Sequence, residues 1–217
     1  MKLSTKNSLL GKIADGLGIN KKFSKYTNFE IDPDESAVIS PVEAKVMKIG
    51  NINSNGVLIS KGNKEVKLDD IIGGFNNQFS GYKYINFYLN PSNSHFWVTP
   101  SDGMFIYTHK NEGKTWLPVY IGLENLLGME MFSKAVKKNA SIFSVFKTKD
   151  YLIAIVAVGS LNVNRIHVEY EEMQNYKKGT PCGYFSIGST VLMCFPSRLK
   201  ILTKEKSDVN IGQRILI

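Results

Sequence analysis

From residue 37 onward the chain is a succession of short β-favouring runs, each closed by Gly, Asn, Asp or Pro. The runs cover residues 37–39, 44–49, 56–60, 83–89, 103–108, 142–147, 151–158, 164–170, 190–195 and 211–216. Strands this short, cut at such regular intervals, cannot build long parallel crossovers with intervening helices. They predict a mainly β, α+β single domain over residues 1–217. At 217 residues the chain is long enough to bury a substantial core. Three exceptions to the β pattern stand out. Leu9, Leu10, Ile13, Ala14 and Leu17 fall on one helical face within residues 7–17, which predicts a short amphipathic helix in an N-terminal segment, 1–24. A longer helix is expected over 118–137, and a further helical turn over 67–73.

Charge narrows the function classes. Lys and Arg number 27 against 19 Asp and Glu, a net charge of +8. Only Arg165, Arg198 and Arg214 are arginines. Arginine is the side chain that reads bases and phosphates bidentately, so a lysine-based charge points to an anionic lipid surface ahead of nucleic acid. Leu9, Leu10, Ile13 and Leu17, with lysines beside them, would be the membrane-facing side of a peripheral protein. No run reaches the roughly 18–20 apolar residues of a membrane-spanning helix. The start of the chain does not read as a secretory signal, because Lys12 and Asp15 break its apolar run. Two cysteines and three histidines exclude a disulfide scaffold and a Cys/His zinc module, and no metal is expected. Cys182 and Cys194 suit a reduced, cytoplasmic chain.

The segment with most chemical content is late: "KKGTPCGYFSIGSTVLMCF", in which Gly188, Ser189 and Thr190 lead into an apolar strand. It resembles the C-terminal signature of phosphatidylserine decarboxylase proenzymes, a "GYF", a two-residue gap and "GST". Further segments agree in the same order: "VISPVEAKV", "ISKGNKEVKLDDIIGG", "INFYLNPSNSHFWVTPSDG" and "AIVAVGSLNVNRIHV". The ending "VNIGQRILI" is similar to that of the shorter members.

The resemblance implies a self-processing enzyme. Ser189 would attack the carbonyl of Gly188, the chain would split into 1–188 and 189–217, and Ser189 would become an N-terminal pyruvoyl group. That group, an electron sink made from the protein itself, would carry the conversion of phosphatidylserine to phosphatidylethanolamine with release of CO₂. His95, the histidine of "INFYLNPSNSHFWVTPSDG", where the family segment holds a Pro, a His and a later "P-x-x-G", would be the base. Glu43, standing where the family has aspartate, would orient it as the third member of a triad. His109, in "YTHK", and His167, in "RIHV", read as a strand-end and a strand-face histidine. The implied partners are a phospholipid substrate and the cytoplasmic side of a membrane, with a homodimer as an open option. The chain departs from the family pattern at Glu43-Ala44 in place of Asp-Gly, at Asn93 in place of an aspartate, at Val98 in place of a second histidine, and in "KKNASIF", which lacks a charged "NER" pattern. Those departures keep two alternatives in view: a non-cleaving lipid-binding relative, and a decarboxylase of a soluble amino acid on the same scaffold. A lipoyl-like hairpin presenting Lys45 or Lys48 is a weaker reading of "SPVEAKVMKIG" and "IGQRILI", and it bears on strand geometry more than on function.

Overall fold

A computed structural model describes residues 4, 12–13, 16–17, 28–59, 65–68, 76–90, 92–113, 137–159, 165–185 and 189–217. In chain order the strands are β1 (Val38–Ile39), β2 (Ala44–Asn51), β3 (Val57–Ile59), β4 (Glu65–Lys67), β5 (Lys83–Leu89), β6 (Phe96–Val98), β7 (Gly103–Asn111) and β8 (Ser141–Lys147). They continue with β9 (Leu152–Gly159), β10 (Ile166–Val168), β11 (Asn175–Tyr176), β12 (Pro181–Phe185), β13 (Ser189–Phe195), β14 (Asp208–Val209) and β15 (Arg214–Leu216). A 3₁₀ turn, Asn76–Phe79, precedes β5.

Each of the ten expected β runs contains a strand. Those not anticipated are β4, β6, β11, β12 and β14, all between two and five residues long. Strand β12 opens on Pro181 and carries Gly183, two residues that weaken a strand signal. Its register with β6 shifts between those same two residues, a bulge that lets the proline begin a paired strand. Lys67 belongs to β4 rather than to the helical turn expected over 67–73, whose residues 69–73 lie outside the described set. The expected 118–137 helix also lies outside it, except for Lys137 at its end. Of the N-terminal helix, Leu9 and Leu10 fall outside, and one helical bond is seen, from the Leu17 N–H to the Ile13 carbonyl at 2.9 Å.

Eight strands form one sheet in the order β11-β7-β8-β9-β13-β5-β2-β14, every described pair in it antiparallel. Strands β10-β12-β6 make a second sheet of three. Alternation along β13 sends Val191, Met193 and Phe195 into one apolar cluster with Trp97, Ile166, Cys182 and Phe185 of the small sheet. Thr190, Leu192 and Cys194 face the other way, where the latter two pack with Leu58, Leu68 and Phe79. Since both faces of β13 are covered, all seven of its residues are buried. This accounts for the unbroken apolar run "VLMCF", where a strand with one wet face would alternate with polar residues. The small sheet is pinned to this core by Trp97 and Phe185, whose ring centroids are 4.9 Å apart.

Gly183 is where β12 passes closest to its neighbours. A Cβ built there would lie 2.1 Å from the His167 carbonyl oxygen and 2.5 Å from the Trp97 ring. Gly183→Ala is therefore expected to lower stability by about 1–3 kcal/mol, the usual cost of overpacking a tight site. Urea denaturation of the Ser189→Ala chain with and without the change measures it. An unchanged midpoint would show that β12 has slack which the packing does not reveal.

Candidate active site

Ser189 is the first residue of β13 and is completely buried. Its two strand partners are Leu89 on β5 and Gly159 on β9. On the far side of Gly159, its N–H donates to the Ala140 carbonyl at 2.9 Å, and its carbonyl accepts from the Asn139 side-chain amide at 2.8 Å. Both backbone groups of Gly159 thus turn away from Ser189, which places the two residues in a close, non-hydrogen-bonded antiparallel pair. The absent side chain at 159 leaves room there. One position on, the Thr190 hydroxyl lies 2.7 Å from Asn86 Oδ1 and 2.6 Å from the Phe87 carbonyl, tying β13 to β5. Ser189 Oγ, by contrast, is buried and has no hydrogen-bond partner among the described residues. A buried hydroxyl left in this way costs free energy, and a functional role is one reason for a protein to keep it.

His95 is equally buried and lies between β5 and β6. The chain leaves β5 at Leu89, the partner of Ser189, and turns at Asn90–Asn93. It then reaches His95, whose carbonyl accepts the Phe185 N–H at 2.7 Å. Phe185 ends β12, four positions before Ser189. The loop bearing His95 is thus tied at one end to the strand partner of Ser189 and at the other to the segment leading into Ser189. The ring Nδ1 lies 2.7 Å from the Asn93 carbonyl oxygen. A carbonyl can only accept, so Nδ1 carries the proton and Nε2 is the basic nitrogen. Burial holds the His95 pKa below its ordinary value of 6.5, against the opposing pull of the Asn93 carbonyl and the Glu43 charge. The ring is consequently neutral at neutral pH, as a general base must be.

Glu43 precedes β2 and acts on this loop. Its Oε1 accepts from the Asn93 side-chain amide at 2.8 Å, and its Oε2 accepts from the Ser94 N–H at 3.0 Å. Burial pushes its pKa up, but the bonds from Asn93 and Ser94, with the attraction of the His95 ring where acid protonates it, outweigh that and hold the carboxyl below its usual value. The acceptor that the resemblance assigns to Glu43, facing Nδ1, is here the Asn93 backbone. Glu43 grips the loop that carries it. Asn93, which the sequence marks only as a departure from the family's aspartate, and Ser94, which no motif marks, both contact Glu43 here.

A cleft of about 790 Å³ opens beside this loop, with Glu43 and Ser94 in its wall alongside Phe29, Asp32, Ile211 and Arg214. Arg214 is engaged there by both oxygens of Asp32, at 3.0 and 2.8 Å, and by Asp34 at 3.0 Å. His109 pairs with Phe143 in the β7–β8 ladder, and His167 stacks on Tyr184 with centroids 4.3 Å apart. Both cysteines are buried free thiols with raised pKa values, Cys194 to about 12, from burial. They are poor nucleophiles. Gly188 lies outside the described residues. Among the described residues, no group of three or more His, Cys, Asp or Glu could hold a metal ion.

The buried neutral histidine has a consequence for stability. Its folded pKa is depressed, so between that value and 6.5 the unfolded chain binds a proton that the folded chain refuses. Stability of the Ser189→Ala protein is therefore expected to fall as pH drops below about 6.5. Replacing His95 by Gln removes the titrating group and should flatten that part of the curve. Parallel curves for the two proteins in urea titrations across pH 5–8 would contradict it.

Known proteins are similar to the chain along most of its length. The family model described as phosphatidylserine decarboxylase matches residues 23–217. A phosphatidylserine decarboxylase proenzyme of Anoxybacillus flavithermus is 32% identical over 192 residues, covering 85% of this chain and 69% of the relative. The corresponding proenzyme of a Geobacillus species is 30% identical over 191 residues, 86% of this chain and 66% of the relative. That of Bacillus subtilis is 27% identical over 190 residues, 85% and 69%. The chain thus spans about two thirds of the length of these relatives. With the ordered motifs, the buried Ser189 at the head of β13 and the family model running from residue 23 to the last residue, the chain belongs to the phosphatidylserine decarboxylase family.

Proposed function

We propose that this chain is a self-processing carboxy-lyase that converts phosphatidylserine to phosphatidylethanolamine and CO₂, with Ser189 as the precursor of its pyruvoyl group. The observation that carries the reading is the buried Ser189 hydroxyl, with no hydrogen-bond partner among the described residues, at the head of a strand beside the loop of a neutral histidine. The names of the relatives support the substrate and the proenzyme state.

In self-cleavage, His95 Nε2 takes the Ser189 hydroxyl proton as Oγ attacks the Gly188 carbonyl carbon. The peptide C–N bond breaks and an ester forms, with the Ser189 nitrogen protonated to an amine. Loss of the Ser189 α-proton then breaks the Cβ–Oγ bond, releasing Gly188 as a carboxylate and leaving dehydroalanine at 189. Its imine tautomer takes up water and expels ammonia, which leaves the pyruvoyl end. Burial helps because attack needs a nucleophile not solvated by water. When present, the pyruvoyl group supplies a carbonyl that condenses with the substrate amine and draws electrons as the carboxylate leaves. This chain's residues would bind, exclude water and move protons around it, and His95 would hold or return a proton at that end of β13. The residues present suit such a group: a serine whose hydroxyl is uncommitted, an adjoining Gly159 without a side chain, and an apolar cluster containing Leu89 and Phe185.

The substrate is a lipid, which favours a peripheral seat on a membrane. Ile13 and Leu17, one helical turn apart, are 51% and 70% exposed, an arrangement that would suit contact with acyl chains beside lysines. No helix among the described residues is long and apolar enough to cross a membrane. The double change Ile13→Glu and Leu17→Glu should weaken co-sedimentation with phosphatidylserine-containing vesicles while leaving chain cleavage intact. Unchanged co-sedimentation would remove this segment from the docking surface.

Intact-mass analysis of the purified protein tests the central reading. Two fragments divided between Gly188 and Ser189, the smaller with a pyruvoyl end, are expected. Ser189→Ala should remain one chain, and His95→Ala should cleave on the order of 100-fold more slowly or worse. Because burial holds His95 neutral, the cleavage rate should stay flat as pH falls past 6.5 and decline only once pH nears the depressed pKa of the folded protein. A wild-type chain that stays whole under nucleophile treatment would sink the reading.

A further inference from the structure

Asn93 uses every polar group it has. Its N–H donates to the Asn90 carbonyl at 2.9 Å, and its Oδ1 accepts the Asn90 N–H at 2.8 Å. Its Nδ2 donates to Glu43 Oε1 at 2.8 Å, and its carbonyl accepts from His95 Nδ1 at 2.7 Å. Three of these four bonds fix the residue, and the fourth presents its carbonyl to the imidazole. The carboxylate that holds Nδ2 also holds the Ser94 N–H, the peptide next to that carbonyl. The direction of the carbonyl is therefore set from both sides.

We infer that Asn93 is a positioning residue for the self-cleavage of this chain: its clamped carbonyl locks the His95 proton on Nδ1 and so keeps Nε2 as the base toward Ser189. The inference rests on the reading of Ser189 and His95 given above and adds to it a residue and a division of labour. Free imidazole in water does not hold a single tautomer with this preference, so a fixed acceptor at Nδ1 is what decides it. The role assigned to Glu43 changes accordingly. It acts on His95 through the Asn93 side chain and the Ser94 peptide, and through its charge.

The clamp has a donor at Asn93 and an acceptor at Glu43, and that polarity can be tested by reversing it. Asn93→Asp keeps the acceptor for the Asn90 N–H but sets one carboxylate oxygen against another where a 2.8 Å hydrogen bond stood. Cleavage by this variant at pH 7.5 should slow on the order of 100-fold, the scale of a misplacement of about an ångström in a catalytic group. Adding Glu43→Gln should restore the rate to within roughly fivefold, since neighbouring partners couple rather than add. In that double variant the amide introduced at position 43 donates to the carboxylate introduced at position 93, while the amide oxygen still accepts the Ser94 N–H. A purely structural clamp would restore thermal stability alone, so the tautomer is read directly by ¹⁵N imidazole shifts of His95 in the uncleaved Ser189→Ala protein. Protonation at Nδ1 is expected there, moving toward Nε2 when Asn93→Asp is added. An Asn93→Asp chain that cleaves at the wild-type rate, a double variant no faster than the single, or a His95 proton on Nε2 in Ser189→Ala would each overturn the inference. If Asn93→Asp fails to fold, Asn93→Ser makes the same comparison, because serine can accept from Asn90 but is too short to reach Glu43. A wild-type chain that does not cleave defeats the reading of Ser189, and the tautomer in Ser189→Ala then still decides the role of Asn93.

Discussion

The pairing of β13 between β5 and β9 is the constraint on which the rest of the structure depends. It covers both edges of a seven-residue strand whose two faces are packed by the two apolar clusters, so its first residue is as dry as its last. On any edge strand Ser189 would be solvated and its hydroxyl matched by water. In the central position the hydroxyl is kept from water, and the backbone around it is fixed by Leu89 on one side and Gly159 on the other. Thr190, turned to the opposite face, spends its hydroxyl on β5 and so holds the strand in register. Two adjacent hydroxyl residues are thereby divided, one to hold the strand and one left for chemistry. The alternation of a β-strand makes that division.

The same pairing explains how a loop histidine is placed. Loops are mobile unless their ends and backbone groups are tied down. The Asn90–His95 loop begins at the partner of Ser189, closes on itself through Asn93, is gripped by Glu43, and ends on Phe185 of β12. Its outer ties lead to β5, to the residue before β2 and to β12, so the loop inherits the rigidity of two sheets. Gly183 allows β12 to come close enough to Trp97 for the last of these ties.

Much of this was legible in the residues and some was not, for physical reasons. The ten long or apolar runs stand out because β-branched and aromatic residues cluster between turn formers. Strand β6, only "FWV", is too short to show a period, and β12 is disguised by Pro181 and Gly183. Periodicity cannot see a strand whose identity comes from a bulge and from its neighbours. At the site, Ser189, His95 and Glu43 could be named from motifs, since a nucleophile, a base and a carboxylate each have a distinctive side chain. The orienting acceptor could not be named in this way. It is a backbone carbonyl, present at every position, and only the fold shows that the one at Asn93 faces the ring.

That distinction also recasts the departures from the family pattern. Read singly, a glutamate for an aspartate at 43 and an asparagine for an aspartate at 93 each suggest a damaged triad. In the fold the two side chains touch, 2.8 Å apart. An aspartate at 93 would face the carboxylate of residue 43 with like charge, whereas an asparagine offers it a proton. The extra methylene of Glu43 gives its carboxylate added reach, and its second oxygen meets the Ser94 N–H. The two changes therefore compensate each other, and together they lead to the same end as a direct carboxylate–histidine contact: an imidazole with one defined nitrogen bearing the proton. Substitutions that would argue for lost activity when counted one by one argue for retained activity once they are seen to be partners.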